Sequence, residues 1–486
     1  MRAAYSPGIS RLLSLFVGAL LAASSASAAT PQETVLYSFQ GGNDGAYPAS
    51  NLVADKQGNL YGTTEFGGTG LCTDADGFVI GCGTVFKLTK PAKSGGKWAE
   101  SVLYSFQGFL IGSSNLRDSG YPQAGLAIDA TGNLYGTNSG NTVPYYDNGN
   151  VFELSPPASS GGAWTETILY TFQGGYDGFA PRAGVIFDAK GHLYGSTSTG
   201  APLTGGDVFR LTPPTTSGGA WTETVLYAFS GGTDGENPSG VLLDAKGTVF
   251  GTTSGGGGFG IGDQYTNSWY GGGTAFELSP NASSTKPWTE TQAFVFPPCY
   301  ENPSEGSACG TSTQPESALI SDASGNLYGT TELGGAVFTC GDDQRDLSYI
   351  GCGTVFQLVP PAVAGGIWTQ NVLYAFGPSS YVDGQNPLAN VVFDKAGNLY
   401  GTTSAGGAGS LGAIFELSPP STQGGSWTET ILYNFAGGSD GAVPAAGLLP
   451  SSTGTFYSTT EYGGTGNCLR MTNQPSGCGT VFAIAP

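Results

Sequence analysis

Seven copies of one pattern run along this 486-residue chain, and a pattern recurring at a nearly regular spacing limits the architecture before any single residue does. One signature is LYSF from Leu36 and Leu103, LYTF from Leu169, LYAF from Leu226 and Leu373, AFVF from Ala293 and LYNF from Leu432. A second is two short apolar runs around a glycine turn, as in GVIFDAKGHLYGST from Gly184 and ALISDASGNLYGTT from Ala318. The third is GTVFKL from Gly83, GDVFRL from Gly206 and their five counterparts, ending with GTVFAI from Gly479.

Each copy offers four runs of β-branched and aromatic residues bounded by Gly, Pro, Asn and Asp, the pattern of four antiparallel strands. We name them A to D in chain order, with LYxF closing D. Four-stranded units with apolar faces bury those faces by stacking around an axis, so the sequence predicts an all-β, seven-bladed β-propeller of four-stranded blades. The first D strand precedes any A strand, and the last copy stops after its C strand. The N-terminal strand is therefore expected to pair with the last blade and close the ring.

Composition agrees with short strands and many turns: 82 Gly and only 11% charged residues. The formal charge of −20 excludes a phosphate backbone as partner, because such binding relies on clustered Lys and Arg. Residues 1–28 read as an export signal: Arg2 and Arg11, an apolar run over 12–23, then Ala26-Ser27-Ala28. Residues 29–486 are then one propeller domain with no membrane span after signal removal, outside the cell, at its surface or in the periplasm. Eight Cys fit an oxidising compartment. They fall into close pairs, Cys72 with Cys82, Cys299 with Cys309, Cys340 with Cys352 and Cys468 with Cys478, and local bridging is expected, worth about 2–3 kcal/mol each.

GNLYGTT, a GG loop and GTVF, in tandem after a signal peptide, resemble the bacterial choice-of-anchor tandem repeat GloVer-containing proteins. The resemblance spans the mature chain and implies an exported repeat protein; it transfers no catalytic residues. Because its last copy ends in GTVFAIAP, the chain is expected to differ from anchored members in having no C-terminal sorting segment. The DAKGHLY and DATGNLY turns are also similar to those of NHL and gluconolactonase-type propellers.

On this strand assignment the B-to-C and D-to-A connections share one face, and the A-to-B and C-to-D connections the other. The second face is repetitive, with turns such as DAKG from Asp188 and linkers such as PPASSGGAW. On the first face loops vary in length and carry aromatic residues. Tyr145, Tyr146, Asp147, Tyr265, Trp269, Tyr270, Arg345 and Tyr349 are the candidate ligand-binding residues there, flat rings for stacking beside polar groups for hydroxyls. Six aspartates in the D-to-A turns, Asp44, Asp118, Asp177, Asp234, Asp383 and Asp440, could cap their own turns or form a calcium-binding ring where the A strands enter the channel. Glu65, Glu332 and Glu461 recur only where the B-to-C loop has two Cys; bracing that loop is one role, acid–base work another. The six tryptophans at the head of D strands, from Trp98 to Trp427, read as scaffold.

The only His, His192, sits in an A-to-B turn, and the chain has neither a Gly-x-Ser-x-Gly elbow nor a P-loop. Taken together, these features predict a monomeric, non-catalytic exported propeller that requires no cofactor, although calcium could bind. It would take an extracellular glycan or cell-envelope component through its acidic, aromatic loop face. The alternatives are a metal-dependent hydrolase or lactonase with carboxylates at the channel mouth, and a structural cell-surface protein.

Overall fold

The computed structural model describes residues 31–486 apart from 75–76, 94, 109–117, 141–146, 160, 201–204, 217, 259–270, 282–287, 303–305, 310–311, 336–350, 364–365, 378–382, 423 and 469–474, with only the backbone described at 299–302 and 306–309. The expected export signal lies outside these residues.

Each copy folds into one antiparallel sheet in the order A-B-C-D. In the third blade these strands are Ile186–Phe187, Leu193–Thr197, Asp207–Thr212 and Thr222–Ala228. B strands are buried along their whole length in most blades, whereas D strands alternate between exposed and half-buried, as expected for the innermost long strand and the rim. The N-terminal strand Gln32–Ser38 pairs antiparallel with Thr480–Ala485, which makes the seventh sheet from the two ends of the chain. Seven such sheets form a seven-bladed ring. Two small hairpins are additions to it: Cys299–Asn302 with Gly306–Cys309, and Gly384–Gln385 with Ala405–Gly406.

What holds neighbouring blades together repeats seven times. The phenylalanine that ends each LYxF signature meets the phenylalanine of the next blade's C strand edge-on: Phe39 with Phe86, Phe106 with Phe152, Phe172 with Phe209, Phe229 with Phe276, Phe296 with Phe356, Phe376 with Phe415 and Phe435 with Phe482, at 5.1–5.2 Å between centroids. Such a pair contributes about 0.5–1.5 kcal/mol beyond the area it buries. The glycine of LYGTT has no Cβ for a reason: at Gly62 one would stand 2.7 Å from the Phe86 ring. A Thr or Ser of each B strand donates to a carbonyl at the start of the next blade's A strand, from Thr63 to Ala124 O (3.1 Å) round to Thr459 to Ser50 O (3.4 Å). Tryptophans bridge blades too: Trp164 packs on Tyr61 and Trp98 on Tyr457.

The bridges Cys72–Cys82 and Cys468–Cys478 are present as expected. Cys352 is also disulfide-bonded; Cys340 and the side chains of Cys299 and Cys309 lie outside the described residues. Among the described residues, no helix is long and apolar enough to cross a membrane.

Candidate functional site

The A strands surround a cavity of about 500 Å³ to which all seven blades contribute. Its mouth is built by a repeated device on the first face. An X-Pro pair stands before each A strand, or within it in the fourth blade, with X being Tyr47, Tyr121, Ala180, Asn237, Gln314, Asn386 and Val443, and every X has a left-handed backbone, φ 52–60°. A non-glycine residue in that conformation costs about 1–3 kcal/mol and persists only where its surroundings fix it. Here the backbone does so. Tyr47 N–H donates to Cys478 O (2.9 Å) while its carbonyl accepts from Glu65 N–H (3.2 Å), and Gln314 is held likewise between Gly272 O and Glu332 N–H.

This clamp fixes two positions in each blade: the residue after the proline and the residue after the B strand. The first set is Ala49, Gln123, Arg182, Ser239, Glu316, Leu388 and Ala445, all lining the cavity. The second is Glu65, Ser139, Ser198, Ser254, Glu332, Ser404 and Glu461. The backbone is the same seven times, yet the side chains are not. In the cavity-lining set, blades two to five present polar side chains and blades six, seven and one apolar ones, while Glu461 and Glu65 of the second set belong to blades seven and one. Deeper in, Asn51 Nδ2 donates to Asn390 Oδ1 (3.0 Å), and Asn51 Oδ1 accepts from Gly447 N–H (2.6 Å), which narrows the channel.

Gln123 Nε2 donates to Glu65 Oε1 (2.8 Å). Enclosure by protein raises the Glu65 carboxyl, against the pull of Gln123 and Arg182. Enclosure, then Glu332, lifts Glu316 to about 7, with Ser254 and Arg182 opposing. Glu316 and Arg182 both remain open to the channel space. Glu461 reaches about 7 through burial and then its neighbour Glu65, although Tyr462 hydrogen-bonds to it. Buried Tyr47 and Tyr462 pack on each other beside Glu461 (5.1 Å between centroids). One guanidinium thus acts on carboxyls from two blades, Glu65 and Glu316, while Glu316 and Glu461 change charge near neutrality, so the mouth can donate, accept and exchange protons.

The other sequence-predicted residues fare differently. Tyr145, Tyr146, Tyr265, Trp269, Tyr270, Arg345 and Tyr349 lie outside the described residues. Asp147 is buried, accepting from Ser119 Oγ (2.7 Å) and Gly149 N–H (3.2 Å), and so braces its loop instead of opening onto a face. The six turn aspartates do not line the cavity. They stand at the outer seams between blades, each capping its turn and accepting from the LYxF tyrosine: Tyr104 to Asp118 (2.6 Å), Tyr170 to Asp177 (2.8 Å), Tyr374 to Asp383 (3.2 Å). Asp44, Asp234 and Asp440 do the same. That location departs from the expected ring at the channel, and no group of three His, Cys, Asp or Glu suited to a metal occurs among the described residues. His192 belongs to its turn, with Nδ1 2.7 Å from Asp188. Burial works against the Asp188 charge, but hydrogen bonds from His192 and Lys190 hold its carboxyl below the usual range.

Sequence reasoning passed over Gln123 and Arg182 and gave Glu316 no special place. Their signal was present: they follow the X-Pro pair, the position at which otherwise similar copies disagree.

Fold and mouth together define a seven-bladed propeller with a polar axial pocket. The Gloeobacter/Verrucomicrobia repeat matches residues 70–292, 121–341 and 270–472, and the chain belongs to this repeat family. Comparison with curated proteins finds no match. Among solved structures, the chain is similar to a Trichoderma reesei protein of Carbohydrate-Active Enzymes Family AA12 in its calcium form (12% identity, TM-score 0.38, 94% of this chain and 96% of that one). It is also similar to the PQQ domain of pyranose dehydrogenase from Coprinopsis cinerea (11% identity, TM-score 0.38, 94% and 96%).

Proposed function

We propose that the protein is an exported binding propeller that takes a hydroxyl-rich ligand, a saccharide, into its channel mouth. Gln123 and Arg182 would donate to it, and Glu65, Glu316 and Glu461 would accept or, when protonated, donate. The observation that carries this reading is the broken symmetry of the mouth: seven like backbone clamps present six different residue types to a cavity of about 500 Å³, with Gln123, Arg182 and Glu316 on the second, third and fifth blades. Sugar hydroxyls both give and receive hydrogen bonds, which suits a mouth with both kinds of partner. The aromatic loop residues from Tyr145 to Tyr349 would extend the site at the same face, and the partner would be a glycan outside the cell or in its envelope. A glycan array probed with wild type and Arg182→Ala tests this: a glycan held by wild type and lost at least about tenfold by the variant supports it. An array that retains nothing, with and without calcium ions, counts it out.

A second reading, hydrolysis of a glycoside or lactone, is favoured by Glu316, a carboxyl at about 7 beside another carboxyl. Product release from any bound glycan, followed from pH 5 to 9 with and without a chelator, decides between binding and turnover. Hydrolysis that Glu316→Gln abolishes would establish turnover.

A further inference from the structure

The outer seams hold a second set of carboxyls, unrelated to the mouth. At six of the seven blade boundaries the end of one D strand meets the start of the next blade's D strand, and three side chains face one another: the LYxF tyrosine, the turn aspartate and the glutamate that closes the next WTE-like motif (WAE at Glu100, PQE at Glu33). The sets are Tyr37, Asp44 and Glu100; Tyr104, Asp118 and Glu166; Tyr170, Asp177 and Glu223; Tyr227, Asp234 and Glu290; Tyr374, Asp383 and Glu429; and Tyr433, Asp440 and Glu33. In the second set Tyr104 Oη reaches both carboxylates, Asp118 at 2.6 Å and Glu166 at 3.2 Å. All six glutamates bury Oε1 with no hydrogen-bond donor.

The seventh boundary is a control supplied by the chain itself. There Phe294 replaces the tyrosine, the turn motif with its aspartate is missing, and Gln370 replaces the glutamate. All three members change together, and the carboxyl is exchanged for its neutral isostere. A carboxylate buried without a donor beside a second carboxylate is costly, and a proton removes that cost.

We propose that these six seams each keep one glutamate protonated beside an ionised aspartate, so that the propeller's rim is held together by bound protons and loosens when they leave. The groups facing each glutamate are the aspartate and tyrosine of its own set, with Asp207 added at Glu223. Burial first, and then the neighbouring aspartate, lifts Glu33 and Glu166 to about 8 and Glu100, Glu223, Glu290 and Glu429 to about 7. The sign follows from the direction. A carboxyl raised in the folded state binds a proton that the unfolded chain has released, so this stability is present in full near pH 4.5 and is lost as pH rises through 7 to 8.

Thermal unfolding of the mature protein at pH 5, 7 and 8.5 tests this. The midpoint is expected to fall by about 5 °C or more from pH 5 to pH 8.5, and the sixfold variant E33Q/E100Q/E166Q/E223Q/E290Q/E429Q to flatten that fall. Infrared spectra of wild type at pH 6 should show stronger protonated-carboxyl absorption than the variant, whose remaining signal comes from Glu316, Glu461 and Asp207. Should the sixfold variant fail to fold, E166Q and E223Q singly must each remove a share of the slope. A wild-type midpoint that is level or higher at pH 8.5, or single and combined variants that keep the full slope, would overturn the proposal. So would calcium ions that restore the pH 8.5 midpoint in wild type but not in the variants, since the seams would then hold a cation in place of a proton.

Discussion

The channel mouth and the rim are both rings of seven positions, and both carry carboxyls raised towards neutrality, but they treat symmetry in opposite ways. At the rim six sets are the same and the seventh substitutes all three members together. At the mouth the clamp is the same seven times while the side chain it presents runs Ala, Gln, Arg, Ser, Glu, Leu, Ala. The rim has the marks of a scaffold, in which every copy meets the same physical demand. The mouth has the marks of a site, because a single ligand on the axis cannot contact seven blades equivalently unless it shares their symmetry.

The sharpest way to break this comparison is to attack the scaffold. Removing residues 31–39 deletes the outer strand of the seventh sheet and the Phe39 ring packed on Phe86. Calorimetry should show a midpoint lowered by about 10 °C or more; an unchanged midpoint would mean that the joined chain ends contribute nothing. Next comes Phe276→Ala, which empties a fully buried position against Phe229. Denaturant unfolding should give a loss of about 3–5 kcal/mol, and a loss under about 1 kcal/mol would contradict a seam built on these rings.

Smaller effects should separate the mouth from the scaffold. Arg182→Ala should leave stability within about 0.5 kcal/mol yet weaken glycan binding at least about tenfold, read by calorimetric titration. A large stability loss would move Arg182 to the scaffold. The mildest is Glu316→Gln. Wild-type affinity should change across pH 6 to 8 as the carboxyl ionises near 7, while the variant, fixed in the neutral form at this position, should show a smaller change, the remainder coming from Glu461. Equal pH profiles would remove Glu316 from the site.

The blade was legible in the chain because its strands carry strict local signals: LYxF, the Asp-x-x-Gly turn and GTVF each mark a strand or a turn without outside help. The disulfides of the first and last B-to-C loops were legible for the same reason. The mouth was less so. Arg182 sits between a proline and an alanine in a stretch with no motif of its own, and only the superposition of seven blades shows that it shares a ring with Glu316, 134 positions later in the chain. The turn aspartates misled in the opposite direction. Their recurrence before six of the seven A strands suggested the axis, but D strands run head to tail around the rim, which carries those turns outward to the tyrosines.

The left-handed X-Pro clamp has an evolutionary corollary. Its cohesion resides in main-chain N–H and C=O groups, so the residue after each proline is free to mutate without loosening a blade. The chain thus carries a seven-character cartridge at its axis, and descendants of one ancestral barrel of repeats could acquire new ligands by rewriting those characters alone. Transplanting the Gln, Arg and Glu characters of this protein into a sister propeller's X-Pro positions should move its preference with them.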